Sequence, residues 1–540
     1  MKNRKKILFN DIHIMGYAGI SMSAIGELLT SFGYNVSGCD LEFGGHCESH
    51  IREYTTILYS AAISLDEPEL VRAKKMQEAG RAQVLSRSEA LGILMAEYKN
   101  IIAVAGTHGK TTTTGLIASI LECAFSDIST CTSVGLSKPT ILIGGHLSKI
   151  DGKGRGGSSS NLQIGTKDIL LLEACEYKRS FLHFKQTHAI ILNTYLDHTD
   201  YFNSECDIID AYKDFATNTS GGKCSGGKGS GGAGDVVKGA GDVSGVVFLN
   251  ADDSATKIIT GKIRSTAPFL KVVTFGIKTD ADYMACNIVN SGGKYCFRVN
   301  EQSKITLNIF GEHNVYNALA AYAFADVFGI DKSHIVKGIC NFKGVKRRME
   351  RINVKPSDMH ASGLSVYTDY AHHPREIKAA IKTIMQMYAG ESITVVFQPH
   401  TYTRTQHFWA EYLSCFDGIF SVQHSADSTQ SASKECVSNS VQPLKENNLL
   451  ILNTIYPARE KEIKGVTSKE LAKQIKKQSK KLDAEKPNTE KSNAKFCADI
   501  KYISCLQQVA NEIKNKTGVV LIMGAGDMPE KLATKLLYDL

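Results

Sequence analysis

The sequence lacks four things that would each have named a class of protein. No two of its 14 cysteines stand in a C-x-x-C pair, so neither a zinc ribbon nor a dithiol redox motif is written into the chain. Scattered through 540 residues, they read as reduced, mostly buried thiols of a cytosolic protein. No uninterrupted apolar run approaches the roughly 20 residues that a membrane helix requires. The basic start, Met1 to Lys6, is followed by an apolar stretch broken by Asn10, Asp11 and His13, which is not the pattern of a secretory signal. The net charge of +8 is mild and owes much to lysines around 473–492, with no aromatic residues interleaved as a nucleic-acid surface would have them. These absences predict a soluble cytoplasmic protein with neither a membrane nor a nucleic acid as partner.

A chain of 540 residues is too long for one core and predicts about three or four domains. Hydrophobic residues at 43% and charged residues at 22% are ordinary for globular domains. Three short apolar runs lead into glycine turns: Ile12–Met15 before Gly16, Ile101–Ala105 before Gly106, and Val519–Met523 before Gly524. Helical spacing follows the first two, in Met22, Ile25, Leu28, Leu29 and in Leu116, Ile117, Ile120, Leu121. Further strands are expected at Ile169–Glu173, Ala189–Asn193, Val246–Asn250 and Ile393–Phe397. The alternation predicts an α/β protein with parallel sheets and ligands at the carboxyl ends of the strands. Four stretches, 151–160, 221–245, 425–448 and 473–494, are rich in Gly, Ser, Asn or Lys and are expected to be mobile surface loops.

Gly106-Thr107-His108-Gly109-Lys110-Thr111-Thr112 sits between an expected strand and an expected helix. Glycines let backbone N–H groups approach phosphate oxygens, and the positive end of the helix adds to their pull. Lys110 is placed to reach the outer phosphates, and the Thr111 hydroxyl to ligate Mg²⁺. The loop is shorter than the eight-residue Walker pattern, because Val104 stands where its first glycine would be. This is the pattern of a nucleoside triphosphate site. Glu173 closes a later strand, and Asn193 closes the next before Asp197-His198-Thr199-Asp200. Phosphoryl transfer needs an acid near the phosphates to hold Mg²⁺, which suits Glu173, with His198 beside a second metal ion. A lone strand-end Glu is more often a surface or capping group; it is the order after the phosphate loop that gives these residues meaning.

Taken together, these segments resemble the Mur ligase family. The motifs include HIMGYAGISMSAIGELL (13–29), SGCD (37–40), YSAAISLDEPEL (59–70), AVAGTHGKTTTT (103–114), EACEYKRSFL (173–182) and LDHTDYF (196–202). They continue with GEHNVYNALAA (311–321), FKGVKRRME (342–350), TDYAHHPREIKAAI (368–381), FQPHTYTRT (397–405), IYPARE (455–460) and MGAGDM (523–528). The resemblance implies a Rossmann-like UDP-sugar domain over 1–99, a central P-loop ATPase-type mononucleotide-binding domain over 100–350, and a Rossmann-like amino-acid-side domain over 351–540. It implies ATP and Mg²⁺, a monomer or weak homodimer, and ligation of L-alanine to the carboxylate of UDP-N-acetylmuramate through an acyl phosphate, in peptidoglycan precursor synthesis.

Roles follow by the same resemblance. Gly106, Thr107, His108, Gly109, Lys110, Thr111 and Thr112 would hold the ATP phosphates, with Thr111, Glu173 and His198 at the metals. His313, Asn314 and Asn317 would lie on the adenine side, Arg348 near the phosphates and Asp369 at the ribose. Lys110, Glu173, His198 and Arg348 form the expected catalytic set. Gly16, Ala18, Gly19, Ile20, Asp40 and Ser60 would meet the UDP-sugar. Tyr370, His372, His373, His400 and Arg404 fall on the amino-acid side, Arg404 pairing the alanine carboxylate.

The sequence departs from the family in three places. Ala18 and Ser21 both stand where the first cluster usually has glycine, adding atoms where backbone must come close to ligand or sheet, and Thr401 stands where many members have Arg. After Asp40 the chain reaches Gly44-Gly45-His46 at once, where about 20 further residues of helix and strand are usual, which predicts a smaller first domain. Two other readings stay open: a related ligase that attaches a recycled tripeptide to the same sugar, and a non-catalytic nucleotide-binding paralogue.

Overall fold

The computed structural model describes residues 8–61, 63–126, 138–147, 160–220, 245–352, 364–419, 448–484, 498–514 and 516–538. Three sheets follow one another along the chain. The first has strands β1 (Asp11–Met15), β2 (Asn35–Cys39), β3 (Thr55–Tyr59) and β4 (Ala82–Ser86), all parallel in the order β2-β1-β3-β4. Helices α1 (Ile20–Ser31) and α2 (Pro68–Glu78) connect β1 to β2 and β3 to β4, and α3 (Arg87–Met95) leads on from β4. Between β2 and β3 the chain forms only two 3₁₀ turns, Leu41–Phe43 and Glu48–His50.

The central sheet has ten strands. Its parallel core is β5 (Asn100–Ala105), β6 (Thr140–Leu147), β8 (Ile169–Glu173), β9 (His188–Ile191), β10 (Val246–Asn250) and β11 (Lys271–Gly276). One edge is the antiparallel strand β7 (Ser160–Gln163). The other edge runs through β12 (Tyr283–Ser291), β13 (Lys294–Val299) and β14 (Ser303–Phe310), the last two antiparallel to their neighbours. Continuous apolar runs fix the central strands, since a parallel strand covered on both faces has no polar side: every residue from Ile101 to Ala105 is buried. Helix α4 (Lys110–Phe125) is buried nearly all round because it lies between the sheet and the helices α7 (His313–Val327) and α8 (Lys332–Asn341). On the opposite face lie α5 (Glu205–Thr217) and α6 (Thr256–Thr266), within an apolar core shared with the first sheet.

The third sheet has the order β15-β16-β20-β17-β18-β19 and is parallel except for its first edge strand. Its strands are β15 (Glu350–Ile352), β16 (Ser365–Asp369), β17 (Ile393–Phe397), β18 (Asn448–Leu452), β19 (Ala498–Tyr502) and β20 (Val519–Met523). Helices α9 (Pro374–Met387), α10 (Tyr402–His407), α11 (Trp409–Ser414), α12 (Ser468–Ala484), α13 (Leu506–Lys514) and α14 (Met528–Tyr538) cover its two faces. Strand β15 spans the expected boundary at 350/351 and pairs with β16, so the third sheet begins at Glu350.

One sequence expectation is corrected. The Lys-rich stretch from 473 is not a loop: up to Ala484 it is the body of α12, which buries Leu471, Ala472, Ile475 and Ser479 along one face while its lysines face solvent. The apolar stripe has helical spacing that the lysine content concealed. Residues 151–159, 221–244, 425–447 and 485–494, the remainder of the four expected loops apart from Ser160, Gly245 and Asn448, lie outside the described residues.

Candidate active site

Strand β5 delivers the chain into a loop that only glycine suits at two points. Gly106 has φ +135° and Gly109 φ +90°, and a Cβ on Gly109 would stand 2.4 Å from Asn317 Oδ1. The loop is laced to the next strand connection: His108 N donates to Asn193 Oδ1 at 2.8 Å, and Asn193 Nδ2 donates back to His108 O at 3.0 Å. Lys110 opens α4, and its ammonium donates to the carbonyls of Gly106 and Thr107 and to Glu176 Oε2 at 3.0 Å. Burial alone would lower its pKa, but Glu176 reverses this and holds it above the usual range.

One residue further on, Thr111 Oγ1 donates to Glu173 Oε2 at 3.0 Å, while Glu173 Oε1 accepts from Gly144 N at 2.5 Å. Burial pushes the Glu173 carboxyl above its ordinary range despite these donors and nearby Lys110 and Arg348. A buried carboxylate and a threonine hydroxyl at a helix N-terminus are hard oxygen donors of the kind Mg²⁺ takes alongside phosphate and water, so the residues present fit that ion. His198, in a left-handed conformation at φ +52°, is drawn to the other acid, with Nε2 3.7 Å from Glu176 Oε1. Burial disfavours its charge, but Cys175, Asp197 and Glu176 outweigh this and raise its pKa to about 9. Thr111 and Glu173 therefore meet directly, whereas His198 joins the group through Glu176.

The loop after β9 also reaches the third sheet. Asp197 Oδ1 accepts from Arg404 Nε at 2.9 Å, and Arg404 Nη1 lies 3.0 Å from His400 Nδ1. Both members of the ion pair are buried; Asp197 would be pushed up by burial, but Arg404 and neighbouring histidines hold it well below the carboxylate range. Arg404, expected to face an amino-acid carboxylate with its fork, thus has its Nε committed to a protein carboxylate. Thr401, at φ +62°, caps α10, its hydroxyl accepting from Arg404 N at 3.4 Å.

A second acid, Glu376 in the first turn of α9, gathers the remaining residues. Its Oε1 lies 3.1 Å from His108 Nδ1 and 3.7 Å from Arg348 Nη1. Its Oε2 accepts from His372 N at 3.2 Å and His373 N at 3.4 Å. His373 is the helix cap, its Nδ1 accepting from Arg375 N at 3.3 Å, so it is a structural group before it is anything else. Burial lowers His372 to about 4 and His373 and His400 to about 3, so all three are neutral bases near neutral pH. Asp369 accepts from Met349 N and Ala371 N, both at 2.8 Å, and Tyr370 lies under the Arg348 guanidinium, 5.2 Å from ring centre to Cζ.

Part of this group borders a cavity of about 670 Å³ between the central and third sheets. His108, Gly109, Thr112, Asn193, His313, Asn314, Asn317, Arg348, Asp369 and Glu376 line it. Asn314 Nδ2 donates to Phe310 O at 2.6 Å and Asn317 Nδ2 to Asn314 Oδ1 at 2.8 Å, which fixes both amides on the cavity wall. Burial beside Arg348 lowers His313 to about 4.

The residues expected on the sugar-nucleotide side lie apart, at the carboxyl ends of β1, β2 and β3. Gly16, at φ +82°, packs against Ser60, whose N donates to Met15 O at 3.2 Å. Ala18 N donates to Asp40 Oδ2 at 3.1 Å, Gly19 begins α1, and Ile20 is half exposed with its carbonyl accepting from Asn161 Nδ2 at 2.8 Å. This last bond ties the first sheet's loop to the edge of the central sheet. Sequence reasoning missed the acids that organise the site, Glu176, Asp197 and Glu376. All three lie inside the quoted motifs, and helical capping after His373 points further to Glu376.

The chain matches three family descriptions in sequence order: "Mur ligase family, catalytic domain" over 11–99, "Mur ligase middle domain" over 104–225 and 237–325, and "Mur ligase, glutamate ligase domain" over 347–526. It is 34% identical over 544 aligned positions to the UDP-N-acetylmuramate–L-alanine ligase of Caldicellulosiruptor saccharolyticus, covering 96% of each chain. It is 36% identical to the enzyme of the same name from Alkaliphilus metalliredigens, over 75% of this chain and 80% of that one. Among solved structures, the UDP-N-acetylmuramate-alanine ligase of Thermotoga maritima superposes with a TM-score of 0.65 at 21% identity, over 98% of both chains. A murein peptide ligase from Psychrobacter arcticus gives 0.57 at 19% identity.

Proposed function

The chain belongs to the Mur ligase family, and from that premise we propose that it is an ATP-dependent ligase joining L-alanine to the carboxylate of UDP-N-acetylmuramate. The observation that carries the reading is the pairing of a phosphate loop with an acid through the Thr111–Glu173 bond, in a loop whose His108 and Gly109 line the cavity that Arg348 also lines. The relatives at 34% and 36% identity supply the substrate pair. Among the described residues no helix is long and apolar enough to cross a membrane.

A carboxylate is a poor electrophile until one oxygen becomes part of a phosphate leaving group. The sugar's carboxylate attacks the γ-phosphorus of ATP, forming a C–O–P linkage and releasing ADP. The alanine amine then attacks the acyl carbon, loses a proton, and phosphate departs with the bridging oxygen. In this reading Gly106, Thr107, His108, Gly109 and Thr112 orient the triphosphate, Lys110 swings from its loop carbonyls to the outer phosphates, and Arg348 neutralises charge from the opposite wall. Thr111 and Glu173, with His198 nearby, would hold Mg²⁺, which supplies charge neutralisation at the phosphates. His313, Asn314 and Asn317 take the adenine side and Asp369 the ribose. Neutral His372 or His400 is available to accept the amine proton, with Tyr370, His373 and Arg404 around it. Gly16, Ala18, Gly19, Ile20, Asp40 and Ser60 bind the UDP moiety. The domains divide near 99/100 and just before Glu350.

The test is phosphate release by the purified chain with ATP, Mg²⁺ and UDP-N-acetylmuramate, with L-alanine, glycine, L-serine or the recycled tripeptide as acceptor. Release that requires both the sugar nucleotide and L-alanine, and that falls at least about 100-fold in Lys110→Ala, supports the reading. Release with the tripeptide alone would move the assignment to the recycling ligase, and none with any acceptor would leave a nucleotide-binding paralogue.

A further inference from the structure

Far from the phosphate loop, four metal-ligating side chains converge inside the first sheet's domain. His13 points from β1, Cys39 ends β2, His50 closes the second 3₁₀ turn, and Glu69 lies in the first turn of α2. One ligand atom from each lies within 4.8 Å of all the others. His13, Cys39 and Glu69 are buried, Glu69 completely, while the His50 side chain keeps 37% of its surface exposed.

The contacts converge on one carboxylate, whose Oε2 also accepts from Cys47 N at 3.0 Å. Glu69 Oε1 lies 3.0 Å from His13 Nε2 and 3.2 Å from His50 Nδ1, and Oε2 lies 3.2 Å from Cys39 Sγ. Ser37 Oγ lies 2.9 Å from His13 Nδ1 and 3.3 Å from Ile12 O, and so holds the ring from the side away from Glu69. The Nδ1 bond is also the outer-shell partner that orients a ligating imidazole.

We propose that His13, Cys39, His50 and Glu69 bind one borderline divalent transition-metal ion, Zn²⁺ by its ligand preference, as a structural staple of this domain. Bonds of about 2.0–2.1 Å to nitrogen and oxygen and about 2.3 Å to sulfur place tetrahedral donors about 3.3–3.6 Å apart, close to the Glu69 contacts above, and the other pairs lie within 4.8 Å. Binding displaces the Cys39 thiol proton to solvent, and thiolate plus carboxylate then neutralise the dication without leaving a buried net charge. Mixed nitrogen, sulfur and oxygen donors select against Mg²⁺ and Ca²⁺. His46 Nδ1, 3.1 Å from Cys39 Sγ and 3.3 Å from Glu69 Oε2, flanks the set, and the partly exposed His50 gives the ion a way in.

The position explains what a staple would do there. His46, Cys47 and His50 occupy the short connection made of two 3₁₀ turns, where the chain has little regular structure of its own. The Cys39 carbonyl accepts from Gly16 N at 2.9 Å and Tyr17 N at 3.1 Å, and the adjacent Asp40 holds Ala18 N. An ion on Cys39 therefore braces the first glycine loop from behind.

The test uses the full chain, stripped with a chelator, desalted, and titrated with Co²⁺ and then Zn²⁺. The expected result is one Co²⁺ per chain with a thiolate-to-cobalt charge-transfer band, displaced by Zn²⁺ and absent in Cys39→Ser. Zn²⁺ raises the melting temperature of the wild type and not of that variant. His50→Gln, at a partly exposed position that folding tolerates, binds Zn²⁺ at least about 10-fold more weakly. Absence of the band in the wild type, or a band and affinity unchanged in both variants, would overturn the site and leave a hydrogen-bonded cluster.

Discussion

Arg404 Nε stands 2.9 Å from Asp197 Oδ1, and this buried pair ties the helix after β17 to the loop after β9. Two sheets that must close on one cavity are thus joined by charges that water barely reaches. Removing one partner leaves the other unpaired inside protein. Asp197→Ala is expected to destabilise the closed arrangement by about 3–5 kcal/mol, and the Asp197→Ala, Arg404→Met double variant to recover part of that loss. Urea unfolding of the two single variants and the double variant measures this. Strictly additive losses would show that the pair does not couple the two sheets.

The Thr111–Glu173 bond makes a different prediction, about metal rather than stability. Burial raises the Glu173 carboxyl despite nearby Lys110 and Arg348, so a divalent ion that stabilises its charged form is its natural partner. Glu173→Gln preserves shape and the bond from Thr111 but loses the charge. The Mg²⁺ concentration for half-maximal phosphate release is expected to rise about 10–100-fold, with a smaller rise in Thr111→Ser, which keeps the hydroxyl. An unchanged Mg²⁺ requirement in Glu173→Gln would remove this residue from the metal site.

Much of this arrangement was legible before any coordinates. Strands β8, β10, β17 and β20 fall where their apolar runs stop, because a strand buried on both faces needs an unbroken run and ends where the chain turns polar. The phosphate loop was legible because its glycines and lysine are adjacent in sequence. The acids that organise the cavity were not, since their partners are distant: Glu176 is 66 residues from Lys110 and Asp197 is 207 from Arg404. Only the sheet order brings them together. Strand β9 stops at Ile191 rather than Asn193 because Asn193 turns to bind the backbone of His108. Helix α12 was hidden because lysine content was averaged over a segment whose apolar positions recur with helical period. The His13, Cys39, His50 and Glu69 cluster has no sequence spacing at all, being assembled from two strand positions, a turn and a helix start.

His188 gives a prediction for acid. It lies on β9 with its ring centre 5.6 Å from that of Phe324 and 5.4 Å from that of Phe328, and its Nδ1 2.8 Å from Thr187 Oγ1. Burial lowers its pKa to about 4, below the roughly 6.5 of an unfolded histidine. Between these values the unfolded chain binds the proton and the folded chain does not, so this contribution is present above about pH 6.5 and is lost as pH falls toward about 4. The full loss is about 3 kcal/mol, with no further change below the folded value, and about 2 kcal/mol of it falls between about pH 7.5 and pH 5. His188→Gln stays neutral throughout and is expected to be less stable at neutral pH but flatter toward acid. Urea unfolding of both proteins at about pH 7.5 and pH 5 decides it. An equal loss in the two would show that His188 is not the residue whose charging destabilises the central sheet.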